Sequence, residues 1–305
     1  MKKQSFTPKR DGFYGVYYPN PAASNKAFIA MLGDSSDDRM VASGVKWLHR
    51  QGCSVMAMSP GKKDYGHHDY PLERIGKAIG FLKAQGNDKL GIVGASTTGM
   101  VALVAASLFP DLTLTIALTA PDFVMEGFYR GNKDGAREWP SGGSSLSWRG
   151  KPLPYLPYAY RHPRYWQQIM ADSKIGGDRI ASRPMFDESE RIHPIQEAEK
   201  IKVENIQGKV IFVGAEDDML WDTCKYTRRM LARLEVLPHE CEAEALLYEH
   251  GTHFVFPQSM LKAMLPVGSA WLIRLMFKAG REHPKECRQT RIDIDERLTR
   301  SISAW

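Results

Sequence analysis

Short, uninterrupted apolar runs alternate along the chain with longer segments whose apolar positions recur every three or four residues. The first pattern is typical of strands buried on both faces of a sheet, and the second is typical of amphipathic helices. The apolar runs cover residues 27–32, 54–58, 90–93, 112–118, 210–213 and 244–248. The helical segments cover residues 40–51, 71–84, 98–108 and 223–234. This alternation predicts an α/β fold with a mostly parallel sheet flanked by helices.

Residues 121–207 interrupt the alternation and are rich in Gly, Pro and aromatic residues. Their aromatic residues include Trp139, Trp148, Tyr158, Tyr160 and Trp166. A long irregular insertion in a compact α/β domain is usually functional, and this many aromatic rings need burial. We therefore expect residues 121–207 to form a cap over a site in a core made of residues 1–120 and 208–305. These aromatic residues, with Trp221, are expected to line a substrate pocket. The alternative is a poorly ordered excursion.

A tight turn joins the third apolar run to the next helical segment. Its sequence, Gly94-Ala-Ser96-Thr-Thr-Gly99, places a serine between strand and helix among small neighbours. In this context the hydroxyl lies above the carboxyl end of the strand, beside a helix N-terminus that stabilises an oxyanion. Ser96 is therefore a candidate nucleophile. The alternative is a helix cap, because the usual glycine two residues after the serine is replaced by Thr98.

Carboxylates and histidines follow the two last apolar runs. Asp217 and Asp218 come after the fifth run, and His250 and His253 come after the sixth. A serine needs an imidazole to accept its proton, and the imidazole needs a carboxylate to fix its tautomer. The order Ser, Asp, His, each past the carboxyl end of a strand, is that of an α/β-hydrolase triad. Taken singly, the acids could be solvated loop carboxylates and the histidine a buried core residue.

Acyl transfer also needs two backbone donors that face the developing oxyanion. The residue after the nucleophile, Thr97, is expected to supply one of them. The other is expected from the loop after the first strand, through Asp34 and Ser35, with Gly33 permitting the turn. The same loop also has the pattern of a helix N-cap followed by acidic residues.

These motifs resemble the hydrolase domain of the acyl-CoA thioesterase and bile acid-CoA:amino acid N-acyltransferase family, over most of residues 12–305. The resemblance rests on Met31-Leu-Gly33, Gly94-Ala-Ser96, Asp217-Asp218-Met-Leu-Trp221 and Gly251-Thr-His253-Phe-Val-Phe-Pro257. It implies an α/β-hydrolase fold, and its Asp-Asp-x-x-Trp motif assigns the triad acid to Asp218, with Asp217 as neighbour. Family transferases that conjugate amino acids carry a cysteine at the elbow, so Ser96 implies hydrolysis. The acidic loop at Asp34, where the family has glycines, would repel an anionic substrate.

Composition and charge exclude several other classes of protein. The 305 residues are 43% hydrophobic and 25% charged, and a net charge of +6 is spread along the chain without the basic stripe of a nucleic-acid-binding protein. Cys53, Cys224, Cys241 and Cys287 stand far apart, so we expect neither a metal site nor a disulfide framework, and no cofactor. The chain start is basic without a following apolar stretch, and no long apolar run occurs. We therefore expect a cytoplasmic protein without a membrane span.

The first hypothesis is a serine hydrolase that cleaves a small-molecule carboxylic ester or thioester, acyl-CoA included, through an acyl-enzyme. The second is an acyltransferase that passes the acyl group to an amine or alcohol, which would require the cap to exclude water. The third is a non-catalytic hydrolase-fold scaffold that binds a small hydrophobic ligand.

Overall fold

The computed structural model describes residues 3–22, 24–33, 38–60, 67–130, 138–264 and 269–305. In this part of the chain the strands are β1 (Gln4–Phe6), β2 (Gly15–Tyr18), β3 (Lys26–Met31), β4 (Ser54–Met58), β5 (Tyr70–Pro71), β6 (Lys89–Ala95), β7 (Leu112–Leu118), β8 (Glu126–Arg130), β9 (Glu138–Ser144), β10 (Leu146–Trp148), β11 (Lys151–Pro152), β12 (Lys209–Ala215) and β13 (Glu242–Tyr248).

The helices are α1 (Pro8–Asp11), α2 (Arg39–Arg50), α3 (Glu73–Ala84), α4 (Thr97–Leu108), α5 (Tyr165–Gly176), α6 (Arg183–Ile192), α7 (Thr223–Val236), α8 (Gln258–Met264), α9 (Ser269–Met276), α10 (Lys278–Glu282) and α11 (Pro284–Ala304). Short 3-10 helices cover Glu197–Glu199 and Val203–Asn205. Among the helices described, none is long and apolar enough to cross a membrane.

An eight-stranded sheet in the order β1-β2-β4-β3-β6-β7-β12-β13 forms the centre of the protein. Six neighbouring strands of this sheet run parallel to one another: β4, β3, β6, β7, β12 and β13. Strand β2 pairs antiparallel with β4, and β1 pairs antiparallel with β2, so these two strands extend the sheet beyond β4. These six parallel strands correspond to the six apolar runs, which confirms the expected α/β fold. Most of their positions are buried, because helices cover both faces of the sheet.

Two sets of helices pack against opposite faces of this sheet. Helices α2 and α11 contribute apolar side chains to one buried cluster, including Leu48, Ile294 and Leu298. Helices α3, α4 and α7 contribute to the cluster on the other face. Helix α4 is apolar nearly all round, because it contacts strands β6 and β7 and also the 3-10 helix Val203–Asn205.

Residues 121–207 carry their own secondary structure. Strands β8 and β9 form an antiparallel pair, and strands β10 and β11 join β5 in a three-stranded sheet. Apolar side chains of the segment, such as Phe123, Tyr158 and Phe186, belong to the same buried cluster as helices α3, α4 and α7. The division of the chain into a hydrolase core and a cap stays a prediction.

The order of the parallel strands creates a crevice at the carboxyl ends of the strands, between β3 and β6. From β3 the chain crosses to β4 on one side, and it returns to β6 on the other side of β3. Loops that leave the carboxyl ends of β3 and β6 therefore turn apart, and such a switch point is where open α/β sheets bind ligands. Ser96 directly follows β6 and lies at this point.

Candidate active site

Ser96 occupies a strained turn between strand β6 and helix α4. Its backbone dihedrals are φ 61° and ψ −129°, a conformation that costs about 1–3 kcal/mol for a residue with a side chain. Its N–H donates to the Leu118 carbonyl at 2.8 Å, which ties the turn to the neighbouring strand β7. The Ser96 hydroxyl makes no capping hydrogen bond to helix α4, so the alternative role as a helix cap has no support.

Glycines on both sides of Ser96 allow strand and helix to approach closely. A Cβ on Gly94 would lie 2.0 Å from the Thr98 carbonyl oxygen, and one on Gly99 would lie 2.9 Å from the Leu118 carbonyl oxygen.

Thr98 stands where hydrolase elbows usually have a glycine, and its side chain has a structural role. Its buried hydroxyl accepts the Ala95 N–H at 3.1 Å and lies within hydrogen-bonding distance of the Met31 carbonyl. Thr98 thus joins β3 to the turn after β6.

Asp218 and His253 form a buried hydrogen-bonded pair. Nδ1 of His253 lies 2.8 Å from Oδ2 of Asp218, whose other oxygen accepts the Leu220 N–H at 2.9 Å. The Asp218 side chain is fully buried. His253 Nε2 is buried and has no hydrogen-bond partner among the described residues. The pair therefore presents an imidazole with one nitrogen bound to a carboxylate and the other available.

Ser96 and His253 line the same small cavity, whose volume is about 220 Å³. Thr97 also lines it, and its apolar lining residues include Leu32, Met40, Phe254 and Phe256. The expected oxyanion residues Asp34 and Ser35 lie outside the described residues. Gly33, which precedes them, lines the cavity, and its carbonyl accepts the Ser59 hydroxyl at 2.6 Å. Ser96, Thr97 and His253 thus share one cavity.

Trp221 is the expected pocket residue that the structure brings against His253. The two rings meet edge to face, with centroids 4.8 Å apart at an interplanar angle of 80°. The Trp221 indole N–H donates to the Thr119 carbonyl at 2.9 Å, which fixes the ring. Trp221 therefore forms a wall against one side of the imidazole.

The other five aromatic residues expected to line the pocket pack away from the described lining of this cavity. Their partners are Phe109 for Trp148, His162 for Trp139, Phe128 for Tyr158, Tyr165 for Trp166 and the Asp172 carboxylate for Tyr160. Each side chain finds a neighbour from its own segment or from the end of helix α4. Their role as substrate-pocket residues stays a prediction.

Asp217 contacts the loop that carries His253. Its Oδ1 accepts the N–H groups of Gly251 at 3.0 Å and Thr252 at 2.7 Å, and its Oδ2 lies 3.2 Å from Nδ1 of His250. Burial, followed by the charge of Asp217, raises the pKa of the Cys287 thiol to about 11. The thiol beneath the loop therefore stays uncharged. The two neighbouring aspartates bind different parts of one histidine loop.

Arg183 at the start of helix α6 holds the loop that carries the acid. Its guanidinium donates to the carbonyls of Glu216 at 3.0 Å and Asp218 at 3.2 Å, and it pairs with the Asp222 carboxylate. Sequence reasoning missed this residue, since one arginine in a polar helix start carries no distinguishing pattern.

Among the described residues, no group of three His, Cys, Asp or Glu side chains is arranged to hold a metal ion.

Comparison with known families adds to this geometry. Residues 71–264, more than half of the chain, match the family described as BAAT / Acyl-CoA thioester hydrolase C terminal. The chain belongs to this family. The span matched to the BAAT / acyl-CoA thioester hydrolase family contains Ser96, Asp218 and His253. Membership confirms, at this general level, the expectation of an ester or thioester hydrolase. No curated protein sequence matches the chain.

Solved structures share the fold of this BAAT / acyl-CoA thioester hydrolase family member at low sequence identity. A candidate esterase from Staphylococcus aureus aligns with a TM-score of 0.50 at 12% identity, over 96% of this chain and 83% of that one. The esterase domain of a Rhodothermus marinus protein aligns with a TM-score of 0.46 at 13% identity, over 90% of this chain and 98% of that one. An esterase of Pyrococcus furiosus aligns with a TM-score of 0.47 at 13% identity, over 89% of this chain and 95% of that one. The fold is that of the α/β-hydrolases.

Proposed function

We propose that this protein is a serine hydrolase that cleaves a carboxylic ester or thioester through an acyl-enzyme on Ser96. The observation that carries the proposal is the His253 imidazole, bound through Nδ1 to the buried Asp218 carboxylate and unpartnered at Nε2 among the described residues. This is the arrangement that a general base needs, and its ring lines the same cavity as the Ser96 turn.

In the proposed reaction the Ser96 hydroxyl oxygen attacks the carbonyl carbon of the substrate, and His253 Nε2 accepts the hydroxyl proton. Asp218 stabilises the imidazolium and keeps the proton of Nδ1 in place. The tetrahedral intermediate collapses, and the leaving group departs with the proton from Nε2. Water then attacks the acyl-enzyme, gives its proton to the same nitrogen, and releases the carboxylic acid with Ser96 restored. The chemistry requires no cofactor.

The oxyanion of the tetrahedral intermediate would lie at the N-terminus of helix α4. The Thr97 N–H and the helix dipole supply positive potential there, because the first N–H groups of a helix have no partner within it. The loop of Asp34 and Ser35 is proposed to supply the second donor. Removing one such donor typically costs about 10²–10³ in kcat.

Residues 121–207 are proposed to cap the site, and their contacts with the acid loop support this role. The N–H groups of Ser182 and Arg183 both donate to the Met219 carbonyl at 3.0 Å. The ring of Phe186 packs against Trp221 with centroids 5.3 Å apart, and Trp221 contacts His253 in turn. Helix α6 is therefore linked to the imidazole through the Trp221 ring.

A fluorophosphonate probe tests the nucleophile, because it phosphonylates serines activated by a base. We expect one adduct on the peptide that contains Ser96, and we expect its loss in Ser96→Ala together with a fall of several orders of magnitude in kcat on p-nitrophenyl acetate. Ser107 lies in helix α4, which follows Ser96, and its hydroxyl donates to the Val104 carbonyl at 2.8 Å, so Ser107→Ala is the matched control and should keep both the adduct and the activity. Unchanged labelling or turnover in Ser96→Ala contradicts the proposal. Tight binding of a hydrophobic ester without turnover by the parent protein would favour the scaffold hypothesis.

The leaving group is tested by comparing an acyl-CoA with a neutral ester of the same acyl chain at low and high salt. A preference for CoA that weakens with salt indicates recognition of its phosphates by Lys and Arg side chains, since salt screens exposed charges. Equal kcat/KM for both substrates at all salt concentrations indicates a general carboxylesterase.

A further inference from the structure

The carboxylate of Asp217 binds the backbone immediately before His253. One oxygen accepts two successive N–H groups, those of Gly251 and Thr252, at 3.0 and 2.7 Å. The other oxygen lies 3.2 Å from Nδ1 of His250. Because its two oxygens are placed against three successive residues, 250–252, this side chain fixes the backbone immediately before His253.

The loop needs such support because its backbone is strained. Thr252 is fully buried and has φ +59°, in the left-handed region that a β-branched residue rarely adopts. The Thr252 hydroxyl accepts the Phe254 N–H at 3.1 Å, which spans His253. Any relaxation of Thr252 toward negative φ would therefore rotate the backbone that carries the His253 imidazole.

A second set of contacts holds the start of the loop from the outside. The His250 ring stacks on the His283 ring with centroids 3.7 Å apart and an interplanar angle of 9°. The Thr290 hydroxyl of helix α11 donates to the His250 carbonyl at 2.5 Å. The start of the loop is thus clamped between Asp217 on one side and helix α11 on the other.

We propose that Asp217 is a positioning residue for His253. It acts through the loop backbone, by holding Thr252 in its left-handed conformation, and it takes no part in proton transfer. This inference rests on the proposed function, because the position of His253 matters only if His253 is the general base. It gives the two adjacent aspartates separate tasks: Asp218 orients the imidazole, and Asp217 orients the backbone beneath it.

The test compares three substitutions at one position. Asp217→Ala removes the acceptor, Asp217→Asn keeps an oxygen at the Oδ1 position without the charge, and Asp217→Glu keeps the charge but moves it by one methylene. Asp217→Ala should lower kcat for p-nitrophenyl acetate about 10- to 100-fold with KM within about twofold, since a misplacement of about 1 Å costs up to 10²-fold. Asp217→Asn should recover kcat to within about threefold of the parent protein, and Asp217→Glu should fall between the two.

Asp111→Ala is the matched control, because this carboxylate is half exposed, pairs with Lys83 and precedes the amino end of strand β7, whereas the site lies at the carboxyl ends of the strands. It should leave kcat unchanged. Circular dichroism and thermal unfolding establish which variants are folded at the assay temperature. If Asp217→Ala does not fold, the kcat values of Asp217→Asn and Asp217→Glu are compared. A higher kcat for Asp217→Asn supports the proposal. A higher kcat for Asp217→Glu overturns it, because the charge and not the position of the oxygen would then be the requirement.

Thr252→Gly provides a second, independent readout, because glycine adopts positive φ without strain. If Asp217 acts by holding Thr252, Asp217→Ala should lower kcat less when Thr252→Gly is already present. The factor by which kcat falls should then be at least threefold smaller than in the parent protein. Equal losses in both backgrounds overturn the proposal. Fluorophosphonate labelling separates this failure from that of the proposed function. No labelling of the parent protein refutes the serine hydrolase, whereas labelling of the parent and of folded Asp217→Ala at the same rate refutes only the role of Asp217.

Discussion

Gly94→Ala tests whether close packing at the turn is what sets the position of Ser96. The new methyl group would lie 2.0 Å from the Thr98 carbonyl oxygen, and real Cβ contacts essentially never fall below 3.0 Å. The start of helix α4 must therefore move by about 1 Å relative to strand β6. Overpacking of this kind costs about 1–3 kcal/mol of folding free energy, which a protein of ordinary stability survives. A 1 Å misplacement of a reacting group costs up to about 10²-fold in rate, so we expect about that loss in kcat.

The assay for Gly94→Ala is the initial rate of p-nitrophenyl acetate hydrolysis, together with the rate of fluorophosphonate labelling and the midpoint of thermal unfolding. Gly80→Ala is the matched control, since Gly80 is an exposed helical residue and, apart from the local helix backbone, no atom of the described residues lies within 4 Å of the place that an alanine methyl group would take there. It should keep full activity and gain about 0.5–1 kcal/mol of stability, because alanine favours a helix over glycine. Parent-like kcat and stability in Gly94→Ala would refute the reasoning.

Two further predictions follow from the site and from the buried thiols. Asp218→Asn should lower kcat by about four orders of magnitude, because an amide no longer fixes the imidazole tautomer, whereas Asp217→Asn should cost no more than about threefold; a larger loss at Asp217 than at Asp218 would reverse the assignment of the acid. Burial raises the pKa of Cys53 to about 11 and is the main cause of the pKa of about 12 at Cys224. Thiolates are the reactive form, so the native protein should resist iodoacetamide at pH 8 by intact-mass analysis, and each cysteine should react after denaturation. Rapid alkylation of the folded protein would contradict this.

The parallel strands could be predicted from sequence because each is a continuous apolar run, and burial on both faces leaves a signal within a few residues. Helix α11 was not predicted. Its buried positions include Thr290 and Arg291 beside Cys287, Ile294 and Leu298, so polar residues interrupt the apolar spacing. The signal that could have found it is the recurrence of apolar residues at intervals of four and seven.

Contacts across long stretches of chain explain what the sequence left open at the site. Thr98 departs from the usual glycine, and its reason is a hydrogen bond to Met31, which lies 67 positions earlier. The aromatic residues of residues 121–207 were expected to need burial, but nothing in their spacing indicates that Trp148 packs on Phe109. The resemblance to a family motif assigns the acid to Asp218, and the structure adds the 2.8 Å contact between Asp218 Oδ2 and His253 Nδ1, which spacing in the sequence could not give.

The attachment of the histidine loop to helix α11 affects the order in which the protein matures during synthesis. Ser96, Asp218 and His253 leave the ribosome before α11 does, and roughly 3–10 s of translation separate His253 from the last residue of that helix at the usual rate of about 5–20 residues per second. Until then the Thr290 hydroxyl and the His283 ring are not in place against His250. A nascent chain should therefore contain Ser96, Asp218 and His253 before the contacts that position the His253 loop can form.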